Sequence, residues 1–230
     1  KVEADVEHAA DEIIDSVADK GRCDFVTDIA AALPLKIICD MMGIPASEYR
    51  FVFDRTNIIL GAGDPEYVAD IAEIVPATLQ AGQELVSLVE DLVRVRQQHP
   101  TDDLTSALVH AEVDGEKLTP TEIGSFFVLL VAAGNETTRN AISHGMKALC
   151  DYPDQRAAWS ANFNALAPTA VEEIVRWASP LIHFRRTATR DTELTGQKIR
   201  AGEKVVMFYS SANRDEAVFA EPYRFDVRRE

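Results

Sequence analysis

The segment from Thr119 to Cys150 has the pattern of one uninterrupted helix. Thr119 can cap its start, Pro120 suits the first helical position, and a glutamate at Glu122 completes a capping box. Pro153 lies just beyond its end. A helix of about 30 residues is roughly 45 Å long at 1.5 Å per residue. We therefore expect a helix that crosses a whole domain.

The middle of this helix joins an apolar run to a polar insertion. Residues 126–131 are Phe-Phe-Val-Leu-Leu-Val, and Ala-Ala-Gly-Asn-Glu-Thr-Thr follows at 132–138. Polar groups that are buried without partners destabilise a fold, and a glycine inside a helix costs about 1 kcal/mol relative to alanine. A motif of this kind therefore requires a compensating interaction.

Two interpretations of the insertion are open. Thr137 can donate to the backbone carbonyl one turn earlier and bend the helix, as a lone threonine in an apolar helix usually does. Alternatively, Ala133 and Gly134 leave room beside the backbone for a flat or small ligand. Glu136 and Thr137 would then border one groove. The combination of small, acidic and hydroxyl residues favours the groove.

Apolar periodicity predicts further helices in the first half of the chain. They are expected from Val2 to Val17, over Leu33–Met42, through Phe51–Leu60 and from Leu79 to His99. After Pro180 the pattern changes to three short β-rich runs, at Phe184–Thr189, Glu193–Thr195 and Lys204–Phe208. We expect a mainly α fold with a small β-sheet. Residues 1–230 would form a single domain, mostly helical over 1–180 and with short strands and an irregular end over 181–230.

Composition limits the class of protein. The 230 residues are 47% hydrophobic and 27% charged, which is ordinary for a globular chain. The net charge of −15 argues against nucleic acid or an anionic membrane as a partner, because both attract basic surfaces. The longest apolar run, Phe126–Ala133, is far shorter than the ~20 residues of a membrane span.

The three cysteines, Cys23, Cys39 and Cys150, are widely spaced and form no metal-binding or redox pair. We expect them to be small, buried and reduced side chains of a cytoplasmic protein. The sequence therefore predicts no metal ligand set.

Two ion pairs are possible within residues 168–180. Thr169 followed by Glu172 predicts a second capping box, which would leave Glu173 to pair with Arg176 at i,i+3. Glu172 and Arg176 at i,i+4 would form a surface pair equally well. The spacing alone leaves both pairs open.

The last fifty residues hold two further candidate features. Arg185 and Arg186 lie on a predicted strand, where neighbours face opposite sides, so we expect one of them to point inward toward an anion. The end of the chain, Phe219–Glu230, is aromatic and arginine-containing and has no secondary-structure period. Taken alone, it is typical of an ordinary coil.

Together and in this order, these motifs resemble those of a cytochrome P450 along the entire chain. The segment 132–138 is similar to the central-helix signature of that family, in which an acid and an alcohol flank the oxygen-binding groove. The Glu-x-x-Arg helix of the family resembles residues 172–176, with Glu173 and Arg176 at the matching positions. Its meander resembles residues 221–229, in which Arg229 would be the third member of an ion-pair triad.

The resemblance implies a haem-thiolate monooxygenase with haem b as its cofactor. Haem would lie against Ala133 and Gly134, and Arg186 would pair with one of its propionates. Thr137 would hydrogen-bond the iron-bound dioxygen, while Glu136 would relay protons to it from solvent. A ferredoxin-type protein would supply the electrons.

Several segments are similar to one actinobacterial branch of the family, which hydroxylates the ends of methyl-branched lipids and sterol side chains. The likeness is carried by residues 33–45, 56–67, 129–145 and 166–180. It implies an apolar lipid, sterol or terpenoid substrate. The expected substrate contacts are apolar: Ile58, Ile59, Leu60, Val128, Leu129, Leu130, Leu181 and Ile182.

The resemblance also implies a part that this sequence does not contain. The haem-ligating cysteine of the family lies in a glycine-containing loop just beyond the meander, and none of Cys23, Cys39 and Cys150 lies in a similar segment. We therefore expect a central fragment of a larger enzyme. Such a fragment would bind haem weakly or not at all, would not hydroxylate, and could oligomerise through uncovered apolar surface.

Two other functions are compatible with the sequence. The chain could be a haem-free truncated product that acts as a helical binding or assembly module. It could also be an unrelated all-α carrier of apolar ligands, which would leave Glu173, Arg176 and Arg229 without a common purpose. Continuation of the reading frame into a cysteine loop would separate the enzyme from the module.

Overall fold

The computed structural model describes residues 2–61 and 64–230, which form two compact units. The first unit extends to Arg139, and the second runs from Asn140 to Glu230. The long helix begins in the first unit and ends in the second. It has 32 residues, which confirms the length predicted from the sequence.

The first unit consists of helices with short connections. Its helices are α1 (Val2–Ala18), α2 (Ala32–Met42), α3 (Tyr49–Leu60), α4 (Ile74–Gln98), α5 (Leu104–His110) and the first part of α6 (Pro120–Asp151). A π-helix at Val26–Ala30 and 3₁₀-helices at Ala46–Glu48 and Ile71–Glu73 join them. A hairpin of β1 (Glu112–Val113) and β2 (Glu116–Lys117) precedes α6. Helix α5 has no counterpart in the sequence prediction, because its 7 residues are too few for a periodic pattern.

The ends of two helices in this unit follow from local chemistry. At the start of α6, the Glu122 carboxylate accepts a hydrogen bond from the Thr119 N–H at 2.8 Å, and the Glu122 N–H donates to the Thr119 hydroxyl at 3.2 Å. This is the predicted capping box. Helix α2 ends at Gly43, whose φ of 73° is in the left-handed region that glycine adopts without strain.

The core of the first unit is formed by helix faces with a four-residue spacing. Leu85, Val89 and Val93 of α4 are buried, and so is the face of α6 formed by Ile123, Phe127 and Val131. Cys39, Met42 and Val52 belong to the same cluster. Side chains at i, i+4 and i+8 share one face of a helix, so each helix turns one apolar stripe inward.

The second unit combines the end of α6 with three helices and two small antiparallel sheets. Its further elements are α7 (Pro153–Ala161), α8 (Phe163–Ala178), β3 (His183–Thr187), β4 (Thr192–Leu194), β5 (Gln197–Ile199), β6 (Lys204–Phe208) and α9 (Tyr209–Ala212). Strand β3 pairs with β6, and β4 pairs with β5. Phe225 and Val227, from the irregular C-terminal segment, are buried in its core with Ala148 and Ala170.

The predicted capping box at Thr169 is wrong. Helix α8 already begins at Phe163, and Pro168 lies inside it. The Thr169 hydroxyl donates to the carbonyl oxygens of Leu166 at 3.2 Å and Val227 at 2.7 Å. Because the second contact spans 58 residues of sequence, a local pattern could not reveal it.

The three predicted strands are present at the expected positions, but the structure contains further strands that were not predicted. Three of the observed strands match the β-rich runs within two residues at each end. Strand β5 lies between two of the predicted runs, where no strand was expected. The chain reversal before it needs only Thr195 and Gly196, both with positive φ. Gln197 to Ile199 are therefore free to pair with β4.

The cysteine prediction holds for one residue of three. Cys39 is buried, whereas Cys23 and Cys150 are exposed, and all three are free thiols. Cys23 lies in a connection and Cys150 on the outer side of α6, so neither faces a core. Among residues 2–61 and 64–230, no helix combines the length and apolar character needed to cross a membrane.

Candidate functional site

Helix α6 carries an exposed apolar stripe beside its polar insertion. Phe126, Leu129 and Ala133 are all exposed, and Leu129 retains 64% of its accessible surface. Their spacing of three and four residues places them on one face, whereas Ile123, Phe127 and Val131 are buried. An exposed apolar strip of this kind can accommodate a flat apolar group.

The two small residues of the insertion have different surroundings. A Cβ atom added at Gly134 would lie 3.0 Å from Cδ1 of Ile38, so this glycine allows a close approach between α6 and α2. Ala133 is exposed. The role of both residues in holding haem stays a prediction, but Gly134 already has a packing reason to lack a side chain.

Thr137 makes an intrahelical hydrogen bond, as the first of the two interpretations of the polar insertion predicted. Its hydroxyl donates to the Ala133 carbonyl oxygen at 2.7 Å. A hydroxyl has one proton and two acceptor lone pairs, so the donated bond leaves Oγ1 able to accept from water or another donor. The hydrogen bond orients the hydroxyl and lets it act in the groove as an acceptor. Donation to bound dioxygen, which the resemblance implies, would require Thr137 to release the Ala133 carbonyl.

Glu136 faces a polar pocket at the end of α3. Its Oε1 lies 3.5 Å from Nη2 of Arg139, and Nη1 of Arg139 donates to Oδ1 of Asn57 at 3.3 Å. The pocket has a volume of about 400 Å³ and is lined by Asn57, Leu60, Gly61, Asp64, Tyr67, Glu136 and Arg139. Sequence reasoning missed Arg139, although its i,i+3 spacing from Glu136 was a usable signal.

The predicted substrate contacts differ in their availability. Leu129 is exposed, whereas Ile59, Val128 and Leu130 pack against the core of the first unit. Ile58 is half-buried, and Leu60 lines the polar pocket. In the second unit, Leu181 is half-buried and Ile182 is exposed. Leu129 and Ile182 are thus the most accessible apolar side chains of the set.

Glu173 is the centre of a buried ionic cluster in the second unit. Arg176 donates to both of its oxygens, from Nε at 2.6 Å and from Nη2 at 2.8 Å, and Arg229 donates from Nε at 3.0 Å. The Asp226 N–H also donates to Oε1 at 2.8 Å. Glu172 is exposed. The structure therefore shows that Glu173, and not Glu172, pairs with Arg176. It also brings the three predicted triad residues together.

The two arginines of this cluster fix the C-terminal segment through its main chain. Arg176 donates to the carbonyl oxygens of Asn213 and Pro222, both at 2.8 Å. Arg229 donates to those of Ala220 at 2.7 Å and Arg224 at 2.7 Å. A segment that is typical of a coil by its sequence is therefore held by charge-assisted hydrogen bonds.

Arg214 closes the end of α8 and was not found by sequence reasoning. Its guanidinium donates to the carbonyl oxygens of Arg176 at 3.0 Å and Trp177 at 2.8 Å, and it stacks on the Trp177 ring at 4.8 Å. Burial, followed by the charge of Arg176, lowers the pKa of Arg214 below its usual value. Cations near the C-terminus of a helix stabilise its last carbonyls.

The expectation that Arg185 or Arg186 points inward is wrong. Both are exposed, because β3 pairs only with β6 among the described residues and all its side chains remain at the surface. Nη1 of Arg186 donates to the Arg185 carbonyl oxygen at 3.2 Å, and its guanidinium lies 5.3 Å from the Phe184 ring centroid. The pairing of Arg186 with a propionate stays a prediction.

No group of three histidine, cysteine, aspartate or glutamate side chains is arranged to bind a metal ion in the part of the chain that the structure describes. Burial, with a smaller contribution from Asp40, raises the pKa of the Cys39 thiol to about 12. Thiolates, not thiols, bind metals, so Cys39 is unsuited to that role.

Comparison with known proteins identifies the family. Residues 165–229 match the family model described as cytochrome P450. The whole chain is 51% identical to a methyl-branched lipid omega-hydroxylase of Mycobacterium bovis, and 96% of it is 42% identical to a steroid C26-monooxygenase of Rhodococcus jostii. These alignments cover 53% and 45% of the two relatives. The chain thus spans about half the length of the curated relatives that it matches.

Solved structures agree with the sequence comparison. The whole chain superimposes on 55% of a Mycobacterium marinum cytochrome P450 in complex with pseudoionone, with a TM-score of 0.94 and 44% identity. It also matches 60% of a Bacillus megaterium cytochrome P450 in complex with corticosterone, with a TM-score of 0.87 and 30% identity. By its sequence and by its fold, the chain belongs to the cytochrome P450 family.

Proposed function

We propose that the protein to which this chain belongs is a haem-thiolate monooxygenase. It hydroxylates unactivated C–H bonds of an apolar lipid, sterol or terpenoid with dioxygen and two electrons. The observation that carries the proposal is the exposed apolar stripe of α6, Phe126, Leu129 and Ala133, directly beside an acid and an alcohol. The names of the two curated relatives, a lipid hydroxylase and a steroid monooxygenase, support the same chemistry.

The described residues fit part of a haem site. In the first unit, Leu129 and Ala133 offer an apolar, exposed surface for the face of a porphyrin. Taken by itself, the second unit offers the exposed guanidinium of Arg186 for a propionate. Haem b with a thiolate ligand supplies the activation of dioxygen when it is bound. We place the ligating cysteine outside residues 1–230, because Cys39 is a buried thiol and neither Cys23 nor Cys150 lies in a segment similar to the ligand loop of the family.

In this proposal, Thr137 and Glu136 control protons. The Thr137 hydroxyl is oriented by its bond to the Ala133 carbonyl, so Oγ1 presents its lone pairs to a proton donor in the groove. The Glu136 side chain is partly exposed and lines a pocket large enough for water, so its carboxylate can take up protons from solvent. Glu136 would supply protons, and Thr137 would orient the donor that passes them on by accepting a hydrogen bond from it.

The substrate and partners follow from the surface of the site. Leu129 and Ile182 are exposed apolar side chains, which suit a branched alkyl chain or a sterol side chain. We propose hydroxylation near the end of such a chain, as the name of the omega-hydroxylase indicates for that relative. A ferredoxin-type protein would supply electrons in the cytoplasm, and no nucleic acid partner is expected at a net charge of −15.

Absorption spectroscopy and product analysis test this function. The full-length protein, reduced and treated with carbon monoxide, is expected to show the band of a thiolate-ligated haem and to convert a methyl-branched fatty acid into a hydroxylated product detected by mass spectrometry. The 230-residue chain alone is expected to show neither. A normal thiolate-type band from these 230 residues would contradict the placement of the cysteine. A full-length protein without product on methyl-branched, sterol and terpenoid substrates would contradict the function.

A second candidate function rests on the exposed sheet. Phe184 on β3 and Val206 and Phe208 on β6 are apolar and exposed, as expected of a haem-free chain that acts as an assembly module. Continuation of the reading frame into a cysteine loop separates the two functions. Light scattering tests the second one further, because an assembly module would form defined oligomers of the 230-residue chain. A clean monomer without haem binding would count against this second function.

A further inference from the structure

The pocket beside Glu136 joins that residue to α3 through one arginine. Arg139 uses Nη2 toward Glu136 at 3.5 Å and Nη1 toward the side-chain oxygen of Asn57 at 3.3 Å. We propose that Arg139 is a positioning residue for Glu136 and that Asn57, on α3, holds Arg139 in place. The inference rests on the proposed function for the role of Glu136 in proton delivery, while the contact itself is independent of it.

The burial of this ion pair distinguishes it from an ordinary surface pair. Arg94 and Asp91 have the same i,i+3 spacing, and their side chains are 66% and 70% exposed. The side chains of Arg139 and Glu136 are 17% and 35% exposed. Exposed pairs contribute little because water competes for both charges and the side chains move freely. With less water around it, Arg139 restricts the positions that the Glu136 carboxylate can adopt.

Asn57 gives the arginine a fixed orientation. Asn57 is itself buried, and its amide oxygen accepts from Arg139. The guanidinium is planar and holds its N–H groups in a rigid fork, so contacts from both terminal nitrogens fix its plane. A lysine has one compact ammonium group and could not reproduce two diverging contacts. The arrangement therefore depends on an arginine at position 139.

The other walls of the pocket come from the end of α3 and the residues after it. Besides Glu136 and Arg139, the titratable side chains that line the pocket are Asp64 and Tyr67. Among the described residues that line it, Arg139 carries the one positive charge. A Cβ atom added at Gly61 would overlap the Tyr67 ring, so this glycine permits the ring to approach. A displacement of the last turn of α3, which carries Asn57 and Leu60, would therefore change how Arg139 holds Glu136.

The contact is tested first without reference to turnover. In the full-length protein, urea unfolding is measured for Arg139→Gln, Glu136→Gln and the double variant. We expect the effects to be non-additive by at least about fivefold in the unfolding equilibrium constant, as for coupled neighbours. The matched control is the Arg94→Gln and Asp91→Asn pair, for which non-additivity below about twofold is expected. Additive effects at Glu136 and Arg139 would overturn the proposal.

The positioning role is tested by how electrons are used. With the haem-loaded full-length protein and saturating substrate, Arg139→Gln and Asn57→Leu are each expected to raise the ratio of peroxide to hydroxylated product by about three- to tenfold, with substrate affinity within about twofold of wild type. Arg139→Lys should restore part of the coupling, and Arg94→Gln should match wild type. A wild-type ratio in Arg139→Gln would overturn the role and leave a structural contact. A wild-type protein without hydroxylase activity would contradict the proposed function. The urea unfolding of the single and double variants would still decide whether Arg139 holds Glu136.

Discussion

The hydroxyl of Thr137 donates to the carbonyl oxygen of Ala133 across 2.7 Å, one turn earlier on α6. The alcohol of the polar insertion is therefore oriented by its own helix. This bond uses the only proton of the hydroxyl and leaves the lone pairs of Oγ1 available as acceptors. A valine at this position would keep the shape and lose both functions, and a serine would keep the hydroxyl.

Replacement of Thr137 should separate electron consumption from product formation. In the full-length protein, Thr137→Ala is expected to release most of the consumed electrons as peroxide, with roughly a tenfold loss of product per electron. This loss is smaller than the ~10²–10⁴-fold effect of removing a group that transfers the proton itself, because Thr137 orients a partner and does not supply the proton. Thr137→Ser should retain part of the coupling. Peroxide and product are measured together, and exposed Thr138→Ala is the control. Unchanged coupling in Thr137→Ala would remove this residue from the mechanism.

Glu173 should be far more important for stability than its neighbour Glu172. Glu173 is fully buried and accepts hydrogen bonds from Arg176, Arg229 and the Asp226 N–H. Glu173→Gln would leave two largely buried guanidinium groups without a counter-charge, which typically costs 3–5 kcal/mol, so we expect a loss of roughly 3 kcal/mol in the free energy of unfolding.

The matched variant Glu172→Gln tests the specificity of that effect. Its side chain is exposed, and surface substitutions usually change stability by less than about 0.5 kcal/mol. Urea unfolding of both variants measures the difference. Equal stabilities for the two variants would show that the buried cluster contributes no more than a surface pair.

Local chemistry explains which parts of the fold could be predicted. The capping box of Thr119 and Glu122 and the end of α2 at Gly43 depend on neighbouring residues, so the sequence predicts both correctly. Thr169 has the same pattern as Thr119 but donates to Val227 instead. That partner comes from a distant, irregular segment, so no periodic pattern could identify it.

The candidate site was predictable in its residue types and less so in its contacts. The family resemblance locates Glu173, Arg176 and Arg229, which the structure brings together. It does not reveal Arg139 and Asn57, because their contact joins positions 82 residues apart. The inward arginine expected on β3 is absent because side-chain alternation predicts opposite directions without predicting whether either face is covered.

A substitution at Gly43 should destabilise the first unit for two reasons. Its φ of 73° is left-handed, which costs a residue with a Cβ about 1–2 kcal/mol. An added Cβ would also overlap the Asp103 carboxylate, which accepts a hydrogen bond from Nε of Arg96 at 2.6 Å. We therefore expect Gly43→Ala to lower the free energy of unfolding by roughly 3 kcal/mol, the left-handed cost plus that of disturbing a partly buried ion pair.

Gly115 is a matched control for the backbone contribution at Gly43. Its φ is 84°, but an added Cβ would have no neighbouring atom within 4 Å. Gly115→Ala should therefore lose only the backbone contribution, about 1–2 kcal/mol. Equal losses in the two variants, measured by urea unfolding, would show that Asp103 moves aside without cost.

The three thiols should react at different rates, because only Cys39 is buried. Burial, followed by the charge of Asp40, raises its pKa from 9.0 to about 12, so about one Cys39 in ten thousand is a thiolate at pH 8. A chromogenic disulfide reagent should therefore titrate Cys23 and Cys150 in the folded chain and Cys39 only in urea.

The raised pKa of the Cys39 thiol also sets the sign of a pH effect on stability. The unfolded chain releases the Cys39 proton from about pH 9 and the folded chain only near pH 12, so stability should fall across that interval. Cys39→Ala should reduce that slope and leave the part that comes from Tyr49, because burial also raises the pKa of the Tyr49 phenol. Three equally fast thiols in the native chain would contradict the burial of Cys39.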